Sequence, residues 1–337
     1  MLRSLLTLCV LLLLPIVAHT AEPFEIKDGD RVLFLGDTLL EREGTYGFLE
    51  TRLQEQFPDR HFIVRNLAFS ADTPLGWSRA SFDPAAKGFD RLKEQLDLVK
   101  PTVVFLGYGM AASLQEMTDR SGDPTLNPDP VRYGAEPMSA ARFKRELAQL
   151  MDTIVEENKA NGGTGVRFVL VAPIQHMDLR QYKAGLPDPT EHNKLLKQYT
   201  KAIDELAKER SAPFVYADTE WQTTNGIHLN EEGYRKWSSI VQIALQTAEQ
   251  TQERQMIREP DERLRRAVIH KNDLFFHRWR PANSTYLFGF RKHEQGNNAA
   301  EIPLFDPLVE EKEKEIARLK VPVKHVYEFI REGEGAK

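Results

Sequence analysis

Cysteine is almost missing from this chain: one residue, Cys9, in 337. It lies in an apolar N-terminal run, Leu5–Val17, which follows Arg3 and precedes the small residues Ala18, Thr20 and Ala21. A basic start, an apolar stretch of about 13 residues and a small-residue exit predict a secretory leader over residues 1–21. An uncleaved anchor is the other reading, although the run is short of the roughly 20 residues a spanning helix needs. Leu8 before Cys9 does not suit a lipid-attachment site. The mature chain then holds no thiol. That excludes disulfides, a cysteine nucleophile and Cys-based zinc, iron–sulfur or haem sites. Localisation is expected to be export, without membrane insertion once the leader is removed.

Excess charge of either sign is also lacking. The net charge is −5 and no basic stripe stands out, so a nucleic-acid partner is not expected. No Gly-x-Ser-x-Gly elbow occurs. No glycine-rich dinucleotide loop or P-loop follows the first strand. No His-x-x-x-His pair marks a metal site. Neither a cofactor nor a metal is therefore expected.

What is present is an ordinary globular balance, 41% hydrophobic and 28% charged. Short apolar, β-branched runs alternate with helix-length segments. The runs are Arg31–Gly36, Phe62–Ala68, Thr102–Gly109, Val166–Pro173 and Phe214–Asp218. Near-continuous apolar character suits strands buried on both faces of a parallel sheet. Amphipathic helices are predicted over Tyr46–Phe57, Gly88–Val99, Ser139–Asn161, Glu191–Arg210 and Glu231–Thr251. Pro58, Pro101 and Gly162-Gly163 supply stop signals. Five strand–helix units predict an α/β fold, a three-layer doubly wound parallel five-stranded sheet. Residues 119–137, rich in Pro, Gly and Asp, read as a long surface loop near the site or as disorder.

After residue 250 the texture changes, so the chain divides into residues 22–250 and a mostly helical C-terminal extension, 251–337. Within the extension, Thr251–His270 and Leu308–Leu319 are charged and helical. Phe275–His293 sets Trp279, Tyr286, Phe288 and Phe290 beside Arg278, Arg280, Arg291 and Lys292. Such a mix suits stacking on sugar rings or docking on another surface. Packing of the arm onto the main domain is the simpler reading.

In a doubly wound sheet the ligand sits beyond the carboxyl ends of the strands. The first strand runs into Gly36-Asp37-Thr38, where a hydroxyl at a tight turn can attack a carbonyl and backbone N–H groups can receive an oxyanion. The second leads to Asn66-Leu67-Ala68-Phe69-Ser70-Ala71-Asp72-Thr73 and the third to Gly107-Tyr108-Gly109-Met110-Ala111. Asn225-Gly226-Ile227-His228 precedes the last helix of the domain.

These turns, in this order, resemble the SGNH hydrolases, or GDSL esterases, over roughly residues 28–250. The family pattern is Gly-Asp-Ser, a glycine turn, Gly-x-Asn, and Asp-x-x-His. The resemblance implies a flavodoxin-like sheet and ester hydrolysis by a hydroxyl nucleophile and a His base. Thr38 takes the nucleophile's place, Ala71 that of the oxyanion glycine, Ala111 that of the oxyanion asparagine and Asn225 that of the orienting aspartate. His228 is unchanged. The oxyanion donors so implied are at Thr38, Ala71 and Ala111.

Each departure has a chemical meaning. Thr38 keeps a hydroxyl but its methyl stiffens χ1. Ala111 has no side-chain donor, and loss of one such donor costs about 10²–10³ in turnover. Asn225 can hold the imidazole but can select the wrong tautomer, a change that costs about 10⁴ in a serine-protease triad. Asp37, Asp72 and Glu220 are expected as rim acids, with Asn66, Tyr108 and His176 beside them. For His176 a surface loop residue, for Asp72 plain turn chemistry, and for His228 a helix-entry residue are the competing readings. Two functions follow. One is an exported hydrolase of esters whose partner is a small ester or an acylated glycan. The other is a weakened or inactive descendant that binds a glycan or a protein.

Overall fold

The computed structural model describes residues 24–80, 83–84, 86–114, 117–119, 131–133, 138–246 and 260–320. The leader, Cys9, most of the 119–137 segment and residues 247–259 lie outside the described residues.

In chain order the elements are β1 (Arg31–Gly36), α1 (Thr38–Tyr46), α2 (Phe48–Gln56), β2 (Ile63–Asn66), α3 (Ala86–Val99), β3 (Val103–Gly107) and α4 (Met110–Leu114). Then come β4 (Met117–Asp119), β5 (Val131–Tyr133), α5 (Ala140–Ala160), β6 (Arg167–Val171), α6 (Thr190–Glu209), β7 (Phe214–Val215) and α7 (Glu231–Ala244). The extension contributes α8 (Glu262–Trp279) and α9 (Phe305–Leu319), joined by short helical turns.

Strands β2-β1-β3-β6-β7 form one sheet in that order, all parallel. This is the flavodoxin-like order, in which the chain reverses direction across the sheet between β1 and β3. Alternate residues of each strand face opposite layers. Val32, Phe34, Val103, Phe105 and Val169 pack with Phe48, Leu53, Trp237 and Val241 of α2 and α7. Leu33, Leu35, Val104, Leu106 and Leu170 pack with Leu92, Leu96, Phe143, Leu147 and Tyr199 of α3, α5 and α6. Both faces of the sheet are covered, which explains the unbroken apolar strands.

Two details differ from the sequence expectation. A separate helix, α1, starts at Thr38, where only a turn was expected. Asp37 caps it by accepting from Leu39 N, and Gly47, at φ 68°, ends it. A Cβ at Gly47 would sit 2.9 Å from Ile269 of α8, so this position also serves packing of the extension. Within the expected 119–137 loop, β5 pairs antiparallel with β4.

The extension shares the main core. Phe275, Trp279 and Val309 belong to the layer formed by α3 and α5, while Leu264, Val268 and Ile316 hold α8 to α9. Lys271 of α8 is wholly buried. Its ammonium donates to Glu50 Oε2 at 2.8 Å, Val64 O at 2.9 Å and Asn272 Oδ1 at 2.7 Å. All three protons are satisfied, and the contacts bind the extension to α2 and to β2, the edge strand. Arg65 of β2 pairs with Glu313 of α9 at the same edge. The aromatic stretch thus divides. Phe275 and Trp279 are core, whereas Phe288 and Phe290 are exposed. Among the described residues no helix is long and apolar enough to cross a membrane.

Lys271→Met leaves the Glu50 carboxylate buried without its cation. It is expected to cost about 3–5 kcal/mol, measured by urea unfolding. A loss under 1 kcal/mol would show that the ion pair does not hold α8 in place. Glu43, buried near Glu50, has its carboxyl pushed up to about 8, first by burial, against the opposing hydrogen bond from Leu49 N. The folded state therefore holds a proton that the unfolded chain releases near pH 4.5. Stability from this group is complete below about 4.5 and is lost as pH rises through about 8. Glu43→Gln should remove that loss, so the variant gains on the wild type by up to about 1.4 kcal/mol per pH unit across this window. Parallel stability curves for the two proteins would contradict it.

Candidate active site

The close approach of β1 and β3 sets the site. Gly36 pairs with Gly107 in register, and a Cβ on Gly36 would lie 2.2 Å from Gly107 O. Beyond these glycines Asp37 turns the chain into α1. Its N–H donates to Gly107 O at 3.0 Å. Its carboxylate accepts from Leu39 N at 3.1 Å and from Gly109 N and Ala111 N at 3.2 Å each. Burial pushes this carboxyl up to about 6, while the backbone donors pull it the other way.

Thr38, the first residue of α1, stands above this turn. Its Oγ1 accepts from Ala71 N at 3.0 Å. Ala71 adopts φ 57°, the left-handed region that glycine fills without strain. Alanine takes the same turn here, so the N–H remains aimed at Thr38. Beside it, the Ser70 hydroxyl donates to Glu41. Glu41 in turn pairs with Arg280 of the extension at 2.5 Å, and the Arg280 guanidinium lies 3.5 Å from the Phe69 ring centroid. The extension therefore braces the Phe69–Ala71 turn.

His228 closes the site from the loop before α7. Gly226, at φ 93°, lets this loop pass the His176 ring, which a Cβ would meet at 2.9 Å. The Asn225 Oδ1 accepts from Ile227 N at 3.3 Å and His228 N at 2.9 Å. That fixes the amide's orientation, because reversing it would aim its NH₂ at two backbone N–H groups. Its Nδ2 is then left 3.1 Å from His228 Nδ1. An NH₂ can only donate, so His228 Nδ1 accepts and the ring proton sits on Nε2. Burial, with Arg42 as a lesser cause, lowers the ring's pKa and keeps it neutral.

Thr38, Ala71, Ala111 and His228 line one cavity of about 610 Å³, together with Arg42, Thr45, Tyr46, Ser70, Met110, Leu114 and Ile227. The structure thus gathers four turns that lie far apart in sequence. Among the described residues no group of three His, Asp or Glu side chains is placed to hold a metal.

The expected acid-rich rim requires correction. Asp37 is 2% exposed and serves the turn. Asp72 is 0% exposed and pairs with Arg79 at 2.9 Å, which also binds Leu67 O and Gln95. Asn66 closes its own turn, donating to Leu40 O and accepting from Ala68 N. Tyr108 is buried. Neither it nor Asp72, Asn66, His176 or Glu220 lines the main cavity. Ala111 does line it, but its N–H is spent on Asp37, so it gives the cavity only a methyl group. His176 belongs to a chain behind the loop. The Ser113 hydroxyl donates to Met110 O, so it accepts from His192 Nε2 at 2.7 Å, and His192 Nδ1 faces His176 Nδ1 at 3.0 Å. Sequence reasoning missed Arg42. It lies one helical turn after Thr38, a spacing visible only once α1 is known to begin at Thr38.

Ala71→Gly should relieve the left-handed strain and stabilise the protein by about 0.5–1 kcal/mol, read from thermal or urea unfolding. Destabilisation of that size would contradict the turn geometry.

No protein-family model matches this chain, and neither does any curated protein. Solved structures do match. A gut microbial diltiazem-metabolizing enzyme, BT4096, is 17% identical with a TM-score of 0.40, and the match covers 67% of this chain but 48% of that one. The aryl esterase of M. smegmatis is 14% identical at TM-score 0.44, covering 64% of this chain and 97% of its own. Est24, a carbohydrate acetylesterase from Sinorhizobium meliloti, is 15% identical at TM-score 0.43, covering 63% and 96%. Other matches are lipolytic proteins of the G-D-S-L family. The order of the parallel strands, with the motif turns gathered at their carboxyl ends, is that of a flavodoxin-like doubly wound α/β fold.

Proposed function

We propose that this chain is an exported SGNH-type ester hydrolase with restrained turnover, acting on an acyl group carried by a carbohydrate. The observation that carries the reading is the juxtaposition of Thr38, the Ala71 N–H and His228 around one cavity. The Thr38 Oγ1 would bond to the acyl carbon. Its proton would pass to His228 Nε2, and the carbonyl oxygen would turn toward the Thr38 and Ala71 N–H groups. Collapse would expel the alcohol with the proton from His228, and water would then release the acid by the same steps. The cavity volume of about 610 Å³ falls in the range of small-molecule sites and leaves room for an alcohol of sugar size. Export is supported by the leader-like N-terminus alone, and secretion of the full chain with loss of residues 1–21 is its test.

The restraint follows from Asn225. With the proton on Nε2, the ring cannot accept from Thr38 until the tautomer reverses, and then Nδ1–H meets the Asn225 NH₂. This contact favours a second reading, in which the cavity binds its ligand without turning it over. Asn225→Asp separates the two. An aspartate would accept from Nδ1 and free Nε2 as the base, so kcat for 4-nitrophenyl acetate should rise by about 10²-fold or more. Thr38→Ala in the same background should abolish the gain. A folded Asn225→Asp protein with no increase would overturn the hydrolase reading in favour of the binding one.

A further inference from the structure

Among the described residues that line the main cavity, Arg42 is the one lysine, arginine, aspartate or glutamate. It lies on the same face of α1 as Thr38 and Thr45, as positions three and four residues apart do. Neither a hydrogen bond nor an ion pair holds it among the described residues. The acids nearest in sequence are engaged elsewhere: Glu41 with Arg280, Glu43 buried beneath Leu49 N, and Asp37 on three backbone donors. Every carboxylate on or capping α1 is therefore directed away from the cavity or neutralised, while its cation is left facing it.

The other polar groups there add to the same sign. His228 presents Nε2–H, a donor, because Asn225 occupies Nδ1. The Thr38 N–H is a first-turn helix donor, and among the described residues none takes it. Among the described residues the lining thus combines a guanidinium, an imidazole donor and hydroxyl groups, with no carboxylate. A neutral ester needs none of the guanidinium's charge, whereas a carboxylate on the ligand would meet it as a charge-assisted pair.

We propose that Arg42 is a specificity-determining residue and that the cavity takes an ester carrying a carboxylate, such as an acylated acidic sugar. This rests on the reading of the cavity as an ester site. The carbonyl would sit between Thr38 and Ala71, with the carboxylate reaching Arg42 about one helical turn away, roughly 5–6 Å along α1.

Two probes of matched size test this on the full chain: monomethyl succinate, which carries a carboxylate, and dimethyl succinate, which does not. Calorimetric titration of each should show the anionic probe binding about tenfold tighter, with the gap shrinking as salt rises. Arg42→Gln should bring the two probes within about twofold by weakening the anion alone, and Arg42→Lys should keep part of the preference. Equal affinities in the wild type, or a preference that survives in Arg42→Gln, would overturn the charge assignment while leaving the ester site standing. If neither probe binds, the ester reading itself fails, and the inference with it.

Discussion

The carboxylate of Asp37 is the interaction on which the site depends. It sits where β1 and β3 come closest and accepts from Leu39, Gly109 and Ala111 N–H groups. One side chain thereby starts α1, positions Thr38 at its first turn and holds the β3 turn against it. The glycines at 36 and 107 are required because any side chain there would collide with the opposite strand or with Leu40. The family resemblance makes Asp37 the middle letter of a motif. The structure shows why an acid is needed: only an acceptor with two oxygens can serve donors on both turns.

A second constraint comes from outside the resembling region. The extension fastens to β2 and α2 through Lys271 and to the Phe69–Ala71 turn through Arg280 and Glu41. It covers an edge strand that would otherwise offer unpaired backbone, and it stiffens the turn bearing Ala71. An alanine at φ 57° holds less securely than glycine, so external bracing there has a physical purpose. The aromatic stretch is in part structural, as its simpler reading had it: Phe275, Trp279 and Leu287 are buried, whereas Phe276, Phe288 and Phe290 are presented outward.

Much of this was legible in the sequence. Each buried strand lies within an apolar run, since strands covered on both faces must be apolar throughout. The four motif turns were found because each follows a strand or precedes a capped helix. The rim was misread because residue type reports chemistry but not burial. Asp37 finds its donors 72 and 74 residues away, and Asp72 is claimed by Arg79. Helix α1 was hidden by Gly44 and by a cap that resembles a turn. Without it, Arg42 had no visible relation to Thr38. The orientation of the Asn225 amide also follows from backbone geometry that residue identity does not encode.

The position of one proton then decides what the cavity does at rest. Asn225 Oδ1 is committed to two backbone donors, its Nδ2 faces His228, and the ring is left as a donor toward the cavity. Nitrogen-15 NMR of the imidazole side chain measures this directly. At neutral pH the expected spectrum has a proton on His228 Nε2, a bare Nδ1 and no protonated ring, with titration below that of a free histidine. A proton on Nδ1, leaving Nε2 as a ready base for Thr38, would contradict the restraint assigned to Asn225.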